Sequence, residues 1–216
     1  MADFETLKQM IIAGDEGATA QTEKLLAEGA GAREILDSAL LPGMEVVGQR
    51  MKSGEIFIPE VLLSAQTMQD CLDLVKPHLA AGESATIATI VIGTVEGDMH
   101  DIGKNLVAML LAGAGFNVIN LGKGITPADF VAAVKEHKPD VVGMSGLLTT
   151  TIPKMPQTIN ALKDAGLRDS VKVIVGGAPV SEAYAKEIGA DAYGPNASIG
   201  VERCKELAAE KAGMAG

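Results

Sequence analysis

The sequence has few aromatic residues and cysteines and an excess of acidic residues. Aromatic residues make up 3% of the 216 residues and tryptophan is absent, so the core has to consist of Leu, Ile, Val, Met and Ala. The two cysteines, Cys71 and Cys204, form no C-x-x-C pair, which argues against a disulfide framework and a zinc site and favours a reducing compartment. The formal net charge of −10 argues against nucleic acid or an anionic membrane as partner.

Long hydrophobic runs are also absent. No stretch reaches the roughly 18 apolar residues of a transmembrane helix, and the first residues lack a signal-peptide pattern, so we expect a cytoplasmic protein. With 47% hydrophobic residues, the chain can build one large or two modest packed domains. Residues 1–82 hold 13 acidic and 6 basic residues. A docking face and an ordinary solvated surface both explain this excess.

Residues 4–79 show the periodicity of amphipathic helices. Asp15 is expected to cap the second helix, and Pro59 is expected to open the last one. The second helix is predicted to follow Asp15 and to end at about Glu28. The next three are predicted from Ala32 to Leu41, from Gly43 to Met51 and from Glu60 to about Leu79. The pattern predicts a helical bundle as the first domain, residues 1–82, with a linker at 78–86.

From Thr86 onwards the pattern changes to alternating strands and helices. Strands are predicted at about 87–92, 116–120, 140–145, 171–175 and 191–193. Helices are predicted at about 101–113, 127–137, 154–165, 181–188 and 197–212. This alternation predicts an α/β domain over residues 83–216, with a doubly wound, five-stranded parallel sheet of flavodoxin-like order.

The polar turn after the first of these strands holds the most informative residues. The strand is expected to end at Gly93 and the next helix to begin near Ile102, so Asp98 and His100 lie between them. Ligands of open α/β sheets bind at this carboxyl end of the strands. Glycines also follow the ends expected for the later strands, at positions 122, 124, 146, 176, 177 and 194. Glycine allows a bulky ligand to approach the backbone there.

One spacing is far more specific than these single features. The motif D-x-H-x-x-G at 98–103 is followed after 41 residues by S-x-L at 145–147, and after 28 more by G-G at 176–177. It resembles the signature of cobalamin-binding domains. The segment MEVVGQRMKSGEIFIPEVLLSA resembles the helical cap that precedes such domains in cobalamin-dependent methionine synthase. Over its whole length the chain is similar to the stand-alone corrinoid proteins of anaerobic methyltransferase systems.

The resemblance implies a cobalamin or related corrinoid as cofactor, in its methylcobalamin and cob(I)alamin states. His100 would be the lower axial ligand of cobalt in place of the cofactor's own dimethylbenzimidazole. Asp98 would bond to the other imidazole nitrogen, which fixes the tautomer and strengthens the ligand. Thr151 lies where the family has a serine or threonine that extends this relay. These three residues are the implied catalytic residues.

The resemblance also implies which residues hold the rest of the cofactor. The slot for the displaced nucleotide tail would be lined by Gly103, Ser145, Leu147, Gly176 and Gly177. For Leu147, a place in the ordinary core explains the residue nearly as well. Further cofactor contacts are expected from Asp101, Ile102 and Thr149. An apolar lid over the reactive face would be formed by Met51, Ile58 and Val61, although each of them also suits the bundle core. Methionine synthase has a phenylalanine at the position of Met51.

The implied function is to carry a methyl group on cobalt between two methyltransferases. The first would be substrate-specific, for a methylamine, methanol, betaine or a methoxylated aromatic, and the second would use a pterin or thiol acceptor. A reductive activase is a possible third partner.

Three alternatives stay open. An adenosylcobalamin mutase subunit shares D-x-H-x-x-G but lacks the helical cap, and a cobalamin-binding regulator or storage protein needs no methyltransferase. A phosphohydrolase, suggested by the His100-Asp101 pair, needs further metal-binding histidines.

Overall fold

The computed structural model describes residues 3–79 and 86–214, and the chain divides into two compact units. The first comprises Met1–Ile87 with Met109–Gly115, and the second comprises Ala88–Ala108 with Phe116–Gly216. Most of the predicted linker, and the predicted boundary between residues 82 and 83, lie outside the described residues. No helix in the two described ranges combines the length and the apolarity needed to cross a membrane.

The first unit is a helical bundle, as predicted. Its helices are α1 (Phe4–Ala13), α2 (Ala18–Ala27), α3 (Ala32–Ile35), α4 (Leu41–Ser53) and α5 (Ile58–Val75). Aliphatic side chains and two methionines fill its core, among them Leu7, Ile11, Leu25, Ile35, Leu36, Leu40, Met44, Val47, Met68, Leu72 and Val75. The bundle therefore follows the composition, which provides almost no aromatic residues.

The predicted break between the third and fourth helices is wrong. A π-helical turn, Leu36–Leu40, joins α3 directly to α4. Proline lacks an N–H and its ring crowds the carbonyl four residues earlier, so a widened turn is one way to accommodate Pro42 in a continuous helix. The next residue, Gly43, packs so closely on α1 that a Cβ there would lie 2.9 Å from the Cβ of Ile11.

Two other helix ends differ from the prediction. Asp15 does not cap α2; its carboxylate accepts a hydrogen bond from the Gly17 amide at 2.8 Å, and the helix starts one residue later. Helix α5 has Pro59 in its first turn but ends at Val75 and not near Leu79. Pro77 explains the early end, because it lacks an N–H and disfavours α-helical geometry in the residue before it.

The second unit is an α/β domain with a parallel sheet. Its strands are β1 (Thr89–Val95), β2 (Asn117–Ile125), β3 (Val141–Ser145), β4 (Lys172–Gly176) and β5 (Ala192–Gly194). The helices are α6 (Ile102–Gly113), α7 (Pro127–His137), α8 (Lys154–Asp164), α9 (Glu182–Glu187) and α10 (Ala197–Met214). Helix α6 is divided between the units, and its residues from Met109 onwards belong to the first unit. The strand order β2-β1-β3-β4-β5 confirms the predicted flavodoxin-like order.

The first two strands are longer than predicted. Strand β1 does not end at Gly93 but continues to Val95. A Cβ at Gly93 would lie 2.9 Å from the ring of Phe130 on α7, so glycine here serves helix packing and not a turn. Gly122 and Gly124 lie inside β2 and do not follow it. Both have positive φ angles, 89° and 69°, which glycine adopts without strain.

The register of the central strands determines where the loops meet. Thr94 of β1 pairs with Ser145 of β3, and Ser145 pairs with Gly176 of β4. Because the three strands are parallel, the loops that follow them leave the sheet at one edge. This edge is called the carboxyl rim below, and it carries the motif residues at 98–103, 145–147 and 176–177.

Candidate functional site

The rim is centred on Asp98, which is fully buried and accepts five hydrogen bonds. Its Oδ1 accepts from the amide of His100 at 3.0 Å and contacts the His100 ring at Nδ1 at 2.8 Å. Its Oδ2 accepts from the Leu147 amide at 2.7 Å, the Leu148 amide at 3.2 Å and the Thr151 hydroxyl at 2.7 Å. One carboxylate therefore joins the loop after β1 to the loop after β3.

These donors determine the charge of Asp98. Burial alone would raise its pKa, but the hydrogen bonds from the His100 amide, the Thr151 hydroxyl and the Leu147 amide outweigh burial and hold the pKa well below its usual value. Asp98 is therefore an anion that only accepts hydrogen bonds.

An ionised Asp98 fixes the tautomer of His100. Because the carboxylate cannot donate, Nδ1 of the ring must carry a proton at this contact, and the tautomer selected in this way has its lone pair on Nε2. The His100 side chain is 52% exposed, and Nε2 has no hydrogen-bond partner within residues 3–79 and 86–214. The buried hydroxyl of Thr94 donates to the His100 carbonyl oxygen at 3.2 Å and fixes the backbone. The site thus presents one oriented nitrogen donor to solvent.

Two glycines shape the rim in opposite ways. Gly177 has φ 125°, and a Cβ on it would overlap the carbonyl oxygen of Gly146, so only glycine allows these two loops to touch. The Gly146 amide donates to the Gly176 carbonyl oxygen at 3.2 Å at the same contact. Gly103, in the first turn of α6, is exposed, and a Cβ on it would meet no atom within 4 Å.

Exposed apolar side chains belong to the same loops. Ile102 is 87% exposed and Leu147 is 43% exposed, and Met99 and Leu148 are exposed as well. The alternative that Leu147 belongs to the core is therefore wrong. Exposed apolar residues that lie close together in a sequence motif are typical of a ligand surface.

The remaining predicted rim residues make fewer contacts. Ser145 ends β3 and is half-buried, and Gly176 ends β4 beside it. The carbonyl oxygen of Asp101 accepts from the Asn105 amide at 2.7 Å, which starts the hydrogen bonding of α6. Thr149 is exposed, and its side chain makes no hydrogen bond within the described part of the chain.

The three lid residues lie in the helical unit. Met51 is half-buried near the end of α4, and Ile58, the first residue of α5, is 40% exposed. Val61, one turn further along α5, is only 3% exposed and belongs to the bundle core. Of the three, Ile58 is the side chain most available to a ligand.

Sequence reasoning missed a polar cluster at the start of α6. The buried Nζ of Lys104 donates to Oδ1 of Asn105 at 2.5 Å and to Oδ1 of Asn120 at 2.6 Å. Burial lowers the pKa of Lys104, and the charge of Asp101 opposes this effect. The cluster ties the first turn of α6, just after the His100 loop, to edge strand β2. The sequence does contain a sign of this cluster. Lys104 occupies the same helix face as the apolar residues Ala108 and Leu111, at the i, i+4, i+7 spacing of a buried stripe, where a lysine is unusual.

Comparison with known proteins gives two family matches, both described as a B12 binding domain. One covers residues 88–201 and the other covers residues 3–76. A corrinoid protein of Desulfitobacterium hafniense is 42% identical over 211 residues, which make up 96% of this chain and 98% of that protein. Trimethylamine corrinoid protein 2 of Methanosarcina mazei is 42% identical over 201 residues, 92% of either chain.

A solved structure is also similar over most of the chain. It is a chain of the methanol:cobalamin methyltransferase complex MtaBC from Methanosarcina barkeri, with a TM-score of 0.79 and 28% sequence identity. The match covers 94% of this chain and 78% of that chain. Sequence and structure comparisons therefore point to the same group of proteins.

Proposed function

Because this chain belongs to the corrinoid proteins of methyltransferase systems, which have a B12 binding domain, we propose that it carries a methyl group between two methyltransferases. Its cofactor is cobalamin or a related corrinoid. The first partner is a substrate-specific methyltransferase, as in the solved methanol:cobalamin complex. The second passes the methyl group to a pterin or thiol acceptor, and a reductive activase restores the cofactor after oxidation.

The observation that carries this proposal is the Asp98–His100 pair. The 2.8 Å contact to a buried, ionised carboxylate leaves His100 with an oriented Nε2 lone pair at an exposed rim. An imidazole whose second nitrogen is bonded to a carboxylate is a typical metal ligand, because the carboxylate orients the ring and raises its basicity.

The residues at the rim fit a corrinoid. Imidazole nitrogen is a suitable donor for cobalt. The exposed apolar side chains of Ile102, Leu147 and Leu148 suit a large, flat and partly apolar ligand. Gly103 leaves open space beside the first turn of α6. The contact between Gly146 and Gly177 brings two backbone segments together at the rim, and the nucleotide tail of the cofactor can lie against them.

When bound, the corrinoid supplies the cobalt that accepts and releases the methyl group. The chain itself would hold the cobalt through Nε2 of His100. Asp98 keeps the imidazole proton at Nδ1 and thereby keeps Nε2 available. Thr151 and the amides of Leu147 and Leu148 hold Asp98 in its charged form and in place. Ser145 and Gly176, with Thr149 and Asp101, would contact the remainder of the cofactor.

A shielding role for Met51, Ile58 and Val61 is part of the proposal. We expect Ile58→Ala to change the free energy of unfolding by less than about 1 kcal/mol because Ile58 is 40% exposed. The same variant should speed air oxidation of the reduced corrinoid in the loaded protein. Val61→Ala should cost about 2 kcal/mol, because it removes two buried methyl groups. Equal oxidation rates in wild type and Ile58→Ala would remove Ile58 from the lid.

The state of the two cysteine thiols supports the proposed cytoplasmic location. Cys71 and Cys204 are buried and unpaired. Burial raises the pKa of both, that of Cys204 to about 12, so neither thiol is reactive. Unpaired cysteines support a reducing compartment such as the cytoplasm.

The function is tested by methylation of the loaded protein. Protein reconstituted with reduced cobalamin is incubated with candidate methyltransferases and a panel of methylamines, methanol, betaine and methoxylated aromatics. We expect one enzyme and donor pair to methylate the bound corrinoid, seen as a change in its visible spectrum, and His100→Gln to slow the reaction. A loaded protein that no methyltransferase of its own organism can methylate would contradict the proposal.

A further inference from the structure

The loop that carries Thr151 has an anchor outside the site. The Tyr184 hydroxyl, on α9, donates a hydrogen bond to the carbonyl oxygen of Ile152 at 2.9 Å. Ile152 directly follows Thr151, whose hydroxyl contacts Asp98. Tyr184 and the buried Asp98 carboxylate are thus hydrogen-bonded to two adjacent residues, Ile152 and Thr151.

Apart from its three bonds to Asp98, the loop is held mainly by bonds within its own turn, where the Thr151 hydroxyl also lies 3.0 Å from the Leu148 carbonyl oxygen. An ion pair between Lys154 and Glu96 at 2.9 Å lies just beyond the turn, at the start of α8. Residues 147–150 are exposed, so burial of their side chains does not fix them. The turn is closed by the amides of Thr151 and Ile152, which both donate to the Leu148 carbonyl oxygen, at 3.1 and 3.2 Å. Where the turn enters α8, the Ile152 carbonyl oxygen accepts from the Met155 amide at 2.9 Å as well as from Tyr184. Tyr184 is the side chain that ties this turn to a different helix.

Tyr184 is suited to this task. Its ring is half-buried against the core that contains Met155, Val175 and Ala185. Burial, assisted by the charge of Glu187, raises the pKa of Tyr184, so the hydroxyl remains a neutral donor. The donor therefore comes from a ring that the core holds in place.

Three of the five donors to Asp98 come from this loop, and all three act on Oδ2, whereas His100 acts on Oδ1. The two sets of donors compete for the charge of one carboxylate. When the loop donors move away, more negative charge faces the N–H of the imidazole, and the ring becomes a stronger donor at Nε2.

We propose that Tyr184 is a positioning residue that sets how strongly Asp98 acts on His100, by holding the loop at 147–152 against Oδ2. This inference rests on the proposed role of His100 as axial ligand of a corrinoid. It assigns the strength of the axial ligand in part to a hydroxyl on α9, outside the motif residues.

The test compares Tyr184→Phe with a matched control, Tyr193→Phe. These are the two tyrosines of the chain, and both are half-buried against the same core. The Tyr193 hydroxyl has no hydrogen bond in the described ranges, so its removal should leave the loop unchanged. Both variants keep the ring and its packing, and both should fold.

The first measurement uses the protein without cofactor. Hydrogen exchange followed by NMR should show the amides of Leu147 and Leu148 exchanging about three- to tenfold faster in Tyr184→Phe, because the hydrogen bond that ties the loop to α9 is lost. The Met144 amide, in the middle of the sheet, should keep its rate, which separates local opening from global unfolding. Rates equal to those of Tyr193→Phe would overturn the inference.

The second measurement uses the loaded protein. The Co(II)/Co(I) midpoint potential of Tyr184→Phe should be more negative than that of wild type, because a stronger axial donor stabilises Co(II). Simple disorder of the site would weaken the ligand and give the opposite sign, and that result, like an unchanged potential, would overturn the inference. Failure of the proposed function looks different: wild-type protein would then show no histidine nitrogen coupled to cobalt, and the inference would fall with it.

Discussion

Asp98→Asn is expected to lower the free energy of unfolding by about 2–4 kcal/mol, because each buried donor left without a partner costs about 1–3 kcal/mol. Five donors converge on the two oxygens of this carboxylate. An asparagine has one oxygen and places an NH2 group against the donors on its other side. Chemical denaturation of the cofactor-free protein measures the loss.

The loss should depend on pH with a definite sign. Hydrogen bonds hold the pKa of Asp98 below its usual value in the folded state. The stability that this carboxylate contributes is therefore present above about pH 4 and disappears as the pH falls toward the folded-state pKa. The difference in stability between wild type and Asp98→Asn should shrink below about pH 4 for the same reason.

Asp101→Asn is the matched control. Asp101 lies in the same loop but is half-buried, and its carboxylate makes no hydrogen bond within the described residues. We expect its substitution to change stability by about 0.5 kcal/mol or less. In loaded protein, Asp98→Asn should also make the Co(II)/Co(I) midpoint potential less negative, because the imidazole loses its anionic partner. Equal stability of the Asp98 and Asp101 variants would mean that the carboxylate is not the centre of the rim.

Gly103→Val is expected to leave the fold intact and to weaken corrinoid binding by about 5- to 150-fold, the effect of a steric conflict of about 1–3 kcal/mol. Gly103 is exposed in the first turn of α6, and a Cβ there would meet no atom of the protein within 4 Å. The valine would instead fill space that the proposed slot gives to the nucleotide tail. Titration of the cofactor-free variant with cobalamin, followed by its visible spectrum, measures the affinity.

Gly213→Val is the control for Gly103→Val. Gly213 is also helical and exposed, and a Cβ on it would also meet nothing within 4 Å. Both variants should unfold within about 0.5 kcal/mol of wild type, and only the Gly103 variant should lose affinity. Wild-type affinity in the folded Gly103 variant would place the cofactor elsewhere on the rim.

The periodicity of apolar residues was enough to predict the fold. Alternating apolar runs and turn residues predicted five strands of a doubly wound parallel sheet, and the flavodoxin-like order expected for it agrees with the observed order β2-β1-β3-β4-β5. The errors in the element boundaries arose where a proline or a glycine lies inside a helix or a strand. Pro42 lies inside a continuous helix because a π turn accommodates it, and Gly93 lies inside a strand because Phe130 packs on it.

The site was only partly accessible from the sequence for a different reason. The Asp98–His100 pair is two residues apart, so its spacing is visible in the sequence. The donors to Oδ2 come from 49 to 53 residues further along the chain, and two of them are backbone amides, which any residue except proline provides. Tyr184 and Lys104 act through such tertiary contacts and carry no motif of their own.

Electron paramagnetic resonance tests most directly whether His100 binds cobalt, as we propose. Wild-type protein is loaded with cobalamin and reduced to Co(II), once with natural histidine and once with ¹⁵N-labelled histidine. We expect coupling to one nitrogen, a change of that pattern on labelling, and loss of the coupling in His100→Gln, while substitution of His78 or His137 leaves it in place. A coupling that labelling does not change would show that the cofactor's own base, and not His100, is bound to the metal.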